Sequence, residues 1–244
     1  MDEESVRGIR QTLLASLTPV SLSNCEFTRI GSAHDGGYVM CGNLLSGGRS
    51  AYSYGIGGHD GWGCHVSRLL KVAVHQYDCF EPPRLTCDGG QFVPHDECVG
   101  PKAGTVDGRV FDTMANQIAR NGDAGKALIV KIDVEGAEWD SLLDAPDALL
   151  ERIDQLAMEL HGTDELRFFE TVQKLKRHFY PVHIHFNNWA CRTDTAPFPA
   201  PAYQVLFVNK RVATLGPPAP GRLAAREFDA PDNPSGPDCQ LPTP

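Results

Sequence analysis

The sequence predicts an α/β fold, a mostly parallel sheet with helices on both faces. Three observations carry this. Short apolar runs alternate with stretches of helical period, as strand–helix–strand units do. One run, 127–134, is nearly continuous in apolar residues, the pattern of a parallel strand buried on both faces. Polar residues cluster where the runs end, and ligands of such sheets bind beyond the carboxyl ends of the strands.

The elements follow in order. Residues 1–17 read as a helix, with Val6, Ile9, Leu13 and Leu14 on one face. Gly36-Gly37 marks a turn before a short strand at 38–41. A strand at 51–54 runs into a glycine-rich turn, a helix follows at 64–70, and a strand at 72–77 closes on Asp78. The segment 79–109 is rich in Gly, Pro and Cys, with one strand at 91–95. A helix over 111–120 is stopped by Asn121-Gly122. After the strand at 127–134 come a strand at 156–160, a helix at 165–178, and strands at 182–186 and 203–209. The chain divides into an N-terminal helix (1–24), one domain (25–215) and a Pro-rich tail (216–244) read as lacking regular structure.

The length, 244 residues, suits one large α/β domain. With 41% hydrophobic and 22% charged residues, the composition is that of an ordinary globular protein. The net charge of -9 argues against nucleic acid or an anionic membrane as partner, since both attract basic surfaces. No export signal or bilayer-length apolar run is read, so a cytoplasmic protein is expected. The eight cysteines form no CxxC pair and are read as free thiols. Cys79, Cys87, His95 and Cys98 are weighed as a zinc set, but they lack paired short spacings.

The first long strand runs into Tyr54-Gly55-Ile56-Gly57-Gly58, where glycines let backbone and ligand approach closely. About twenty residues on, Asp78 ends the next strand, where a carboxylate accepts hydrogen bonds from ribose hydroxyls. Glu81 is a rival for that role; Asp78 is preferred because it directly follows the strand. A dinucleotide fingerprint needs a third glycine at position 60, which is Asp60. An acidic turn suits the sulfonium of S-adenosylmethionine better than a pyrophosphate.

Later strand ends deliver Asp133 and Glu135, then Glu159 and His161, then His183, His185 and Asn187, toward one rim. Residues two apart on a strand share a face. The set reads as a general base for an acceptor (Asp133, Glu159, His161), as ligands of a divalent metal, or as polar residues shaping a pocket. Glu135 or Glu138 also suits capping of the helix that follows.

Lys131-Ile132-Asp133-Val134-Glu135-Gly136-Ala137-Glu138 strongly resembles the signature of FkbM-type methyltransferases. The stretches at 35–39, 52–57, 75–78 and 183–188 resemble the branch that includes the methyltransferase-like proteins of animals. The resemblance spans 28–211 and implies a Rossmann-like methyltransferase fold with a seven-stranded sheet. It implies methyl transfer from S-adenosylmethionine, usually to oxygen of a sugar or other small molecule. By motif, Tyr54, Gly55 and Gly57 would flank the methionine part, Asp78 the ribose, and Asp35 the cofactor's amino group. Asp133 would sit at the reacting end, with Glu135, His183, His185 and Asn187 holding the acceptor. Tyr54 departs from the family, standing where many methyltransferases have an acid, and Gly58-His59 breaks the usual glycine spacing. The rivals are a metal-dependent hydrolase using the same residues and a binding module on a methyltransferase fold.

Overall fold

A computed structural model describes residues 2–81, 86–218 and 226–239. Asp2 caps helix α1 (Glu3–Ser16), its carboxylate accepting from Ser5 N at 2.8 Å. Strands β1 (Phe27–Gly31) and β2 (Gly37–Cys41) form an antiparallel hairpin. The alternating part begins with β3 (Ser50–Tyr54), α2 (Gly61–Leu70), β4 (Ala73–Tyr77) and β5 (Gln91–His95). A small sheet then joins β6 (Cys98–Val99), β7 (Gly104–Val106) and β8 (Arg109–Asp112). The chain continues through α3 (Met114–Arg120), β9 (Leu128–Ile132), α4 (Ala137–Leu143), α5 (Asp147–Leu150) and β10 (Ile153–His161). It closes with α6 (Leu166–His178), β11 (Phe179–Phe186) and β12 (Ala202–Asn209).

The central sheet has seven strands in the order β11-β12-β10-β9-β3-β4-β5. From β10 to β5 all pairs are parallel, and β12 runs antiparallel to both neighbours. The period-2 alternation of the strands divides the core in two. Tyr52, Tyr54, Val130, Ile132, Leu156 and Met158 pack against residues of α1, α3, α4 and α6. Ala51, Ile129, Ala157 and Leu206 face Trp62 and Val66 of α2 and the hairpin residues Ile30, Tyr38 and Met40. Both faces are thus covered, which is why β9 is apolar throughout except at Lys131. The chain leaves β3 toward β4 on one side and returns to β9 on the other, so the order reverses beside β3, where ligands of such sheets bind.

The expected helix over 111–120 begins only at Met114, because Thr113 caps it and Phe111 and Asp112 pair within the small sheet. The hairpin strand β1 and the small sheet's strands were not expected; they are short and lie in loop-like sequence. All eight cysteines pair, as Cys25–Cys41, Cys64–Cys87, Cys79–Cys98 and Cys191–Cys239. This corrects the reading of free thiols, which rested on spacing along the chain, whereas these pairs are adjacent only once folded. It also removes the zinc set, since its three cysteines sit in disulfides and His95 stacks on Tyr77. Among the described residues, no helix is long and apolar enough to cross a membrane.

Within the tail, 219–225 and 240–244 lie outside the described residues. The rest is not a free end. His34 Nδ1 contacts Pro231 O at 2.8 Å, Asn188 Nδ2 donates to Asn233 O at 3.0 Å, and Cys239 is bonded to Cys191.

Candidate active site

A cleft of about 850 Å³ opens at the carboxyl ends of β3, β4, β9 and β10, where the strand order reverses. Asp35, Asp78, Glu81, Asp133, Glu135 and Glu159 line it, against a single lysine, Lys131. The surround is strongly anionic.

At the exit of β3 the glycines have different tasks. A Cβ on Gly55 would stand 1.5 Å from Asp133 O, so Gly55 permits β3 and β9 to meet, at a φ of 75°. Gly57 (φ 53°) has nothing within 4 Å of such a Cβ and leaves its backbone open toward the cleft. Lys131, which was not singled out from the sequence, donates to the carbonyls of Tyr54 and Gly55 and fixes this turn. The Tyr54 side chain does not reach the cleft. It is fully buried and stacks on Tyr77 with ring centroids 5.1 Å apart, because even-numbered residues of β3 face the opposite core. That corrects its expected place beside the cofactor.

The acid after β4 lines the cleft, as expected, and is also tied to the backbone. Asp78 Oδ2 accepts from Ile56 N (2.8 Å) and Gly57 N (3.1 Å), and Oδ1 from Phe80 N and Glu81 N (both 2.9 Å). Burial would raise its pKa, but the four amides outweigh that and hold it below the usual carboxylate value. Asp78 therefore staples the β3 and β4 turns together. Glu81 is exposed, lines the cleft, and brings Oε2 within 3.1 Å of the Cβ position of Gly58. Its carboxylate accepts no hydrogen bond from the two turns and faces the cleft. Asp60 occupies the N-terminus of α2, accepting from Gly63 N at 2.6 Å and from Gln76 Nε2 at 2.7 Å.

The odd-numbered residues that end β9 and β10 converge. Tyr38 Oη donates to Asp133 Oδ2 at 3.2 Å, and Lys131 Nζ lies 3.4 Å from the same oxygen. His161 Nε2 lies 3.5 Å from Glu135 Oε2 and 3.9 Å from both Asp133 Oδ1 and Glu159 Oε1. Its Nδ1 is 3.2 Å from Glu138 Oε1. Asn187 Nδ2 donates to Glu159 Oε1 at 2.7 Å. Burial, reinforced by the Asp133 charge, pushes the Glu159 carboxyl up to about 8. For His161 burial pulls the other way, but the Glu138 carboxylate and then Asp133 and Glu159 outweigh it and hold the imidazole up at about 9. Asp35 also lines the cleft, its carboxyl raised by burial and by Asp232 and Asp133.

His183 and His185 do not line the cleft, which corrects their expected contact with the acceptor. They share the site's face of the sheet but stand two strands beyond β10, under the C-terminal segment. His183 Nε2 is 2.9 Å from Asp229 Oδ1, and His185 has Asp229 at 3.7 Å from Nδ1 and Asp232 at 3.3 Å from Nε2. Burial lowers the pKa of His185, but these two carboxylates outweigh it and raise it to about 10. Besides Lys131, sequence reading missed the exposed Trp189 at the cleft wall and the orienting role of Glu138. Trp189 carries no local signal beyond its place after Asn187-Asn188. Compared with protein-family models, with curated proteins and with solved structures, the chain gives no match.

Proposed function

We propose that this chain is an FkbM-like methyltransferase that transfers the methyl group of S-adenosylmethionine to an oxygen of a small-molecule or sugar acceptor. One observation carries the choice of cofactor. The N-terminus of α2, where a nucleotide's phosphate would sit in this kind of fold, already holds the carboxylate of Asp60. A cleft walled by six carboxylates repels phosphate and suits a sulfonium cation joined to a ribose. The seven-stranded, mostly parallel sheet and the motif at 131–138 support the same reading.

In this reading Glu81 accepts from the ribose hydroxyls, and the open backbone at Gly57 lets the donor lie close to the turn. The acceptor enters past Trp189 and Asn187. Its hydroxyl proton passes to the ionised form of Glu159, whose buried position beside Asn187 holds it at the reacting end. The oxygen then bonds to the methyl carbon as the carbon–sulfur bond breaks. The bonding pair stays on sulfur, leaving S-adenosylhomocysteine. The protein's contribution is alignment and proton removal. Four disulfides suit work in an oxidising compartment rather than the cytoplasm.

Calorimetric titration with S-adenosylmethionine and, separately, with NAD tests the reading. Binding of the first alone is expected. No binding of S-adenosylmethionine to the wild-type chain would overturn it.

A further inference from the structure

His161 is held in one orientation. Glu138, fully buried, accepts from the backbone N of His161 at 2.8 Å with the same oxygen that lies 3.2 Å from Nδ1, and from Gly136 N at 2.8 Å with its other oxygen. The buried carboxylate against Nδ1 fixes the orientation of the ring, so that Nε2 faces the cleft. Asp133 is prepared in the same way. Its Oδ2 is engaged by Tyr38 and Lys131, which leaves Oδ1 on the side of His161.

One atom each of Asp133, Glu135 and His161 lies within 4.8 Å of the other two. The Nε2 separations of 3.5 and 3.9 Å are too long for hydrogen bonds. They are near the roughly 3.4 Å between two atoms that share one centre at about 2.1 Å in tetrahedral geometry. The three groups therefore stand close enough to share one ion. Six acidic side chains line the cleft with Lys131, His59 and His161, so acidic groups outnumber basic ones there, an excess that a divalent cation would offset.

We propose that Asp133, Glu135 and His161 bind one divalent cation at the carboxyl end of the sheet, with Glu138 as the positioning residue behind the imidazole. One imidazole with two carboxylates suits manganese, iron, cobalt or zinc better than a soft, thiolate-seeking ion. Three protein ligands leave a position for an acceptor oxygen. That role rests on the methyl-transfer reading; the site itself does not.

The test uses the full chain, stripped with chelator and titrated with Mn2+, followed by calorimetry and by the electron paramagnetic resonance of free Mn2+. Each arm is repeated with S-adenosylmethionine present. One Mn2+ per chain is expected, with at least tenfold weaker binding in His161→Asn and in Glu135→Gln. Glu135 is largely exposed, with a side chain 87% accessible, so Glu135→Gln keeps the test sound if His161→Asn fails to fold. No Mn2+ or Zn2+ binding to the wild type, or undiminished binding in Glu135→Gln, overturns the site. Mn2+ binding without S-adenosylmethionine binding keeps the site and defeats methyl transfer; the converse defeats the site alone.

Discussion

Glu138 and His161 are joined twice through one oxygen, Glu138 Oε1, which lies 2.8 Å from the histidine's backbone N and 3.2 Å from its Nδ1. This couples the start of α4 to the end of β10 and sets the direction of the imidazole. Glu138→Gln keeps the shape and loses the charge, and is expected to weaken Mn2+ binding roughly 10- to 100-fold, the usual effect of losing an outer partner. Glu138→Ala leaves the amides of Gly136 and His161 unpaired and should lower stability by about 1–3 kcal/mol. Mn2+ titration and urea unfolding separate the two effects. Wild-type Mn2+ affinity in Glu138→Gln would show that the carboxylate does not orient the ligand.

Substitutions at Asp78 and Glu81 should differ in kind. Glu81→Gln is expected to weaken S-adenosylmethionine binding about tenfold or more, the loss of charge-assisted hydrogen bonds worth about 1.5–3 kcal/mol, with little change in melting temperature. Asp78→Asn disturbs four amide bonds and should lower both melting temperature and affinity. Calorimetry and thermal unfolding of each variant decide it. Unchanged affinity in Glu81→Gln returns the ribose role to another group.

The sheet was legible because burial on both faces forces an apolar run, and β9 and β10 are such runs. Asp133, Glu159 and His161 followed from strand ends alone. Alternation was the part that needed the fold. Tyr54 lies one residue from a cleft-lining glycine, yet faces the opposite core. That four backbone amides curl around Asp78 was not legible either, because it is a property of two adjoining turns. His183 and His185 were correctly read as sharing a face. Their partners, Asp229 and Asp232, come from a tail whose proline content suggested no fixed place.

The hold on that tail should depend on pH. His185 is raised from 6.5 to about 10 by Asp229 and Asp232 against the effect of burial, so its contribution is full below about pH 6.5 and is lost as pH rises through about 10. Asp229 is lowered: burial alone would raise it, but His183 and His185 outweigh that, so its contribution is present above about pH 4 and fades as pH falls through the lowered value. Arg29 adds a further charge beside Asp232, Asp229 and Asp238. Amide exchange over 226–239 is expected to be slowest near pH 4–6.5, relative to the intrinsic rate, and to lose protection toward pH 10. His185→Gln should be less protected at neutral pH and flat from there to pH 10. An identical alkaline loss in that variant would assign it to another group.

The Cys191–Cys239 bond closes a span of 48 residues and ties the described end of the chain to the loop after β11. Closing a loop of that length restricts the unfolded chain and contributes on the order of 2–4 kcal/mol. Asn188 holds the same segment by hydrogen bonds to Asn233, Gly236 and Pro237, so the native contacts do not depend on the sulfur bridge alone. The Cys191→Ser/Cys239→Ser double variant should therefore fold with the segment seated, yet unfold at lower urea concentration by about that free energy. Urea unfolding gives the stability, and proteolysis in native buffer shows whether 226–239 stays down. Cleavage there without denaturant would mean that the disulfide, rather than Asn188 and the His–Asp pairs, keeps the segment on the sheet.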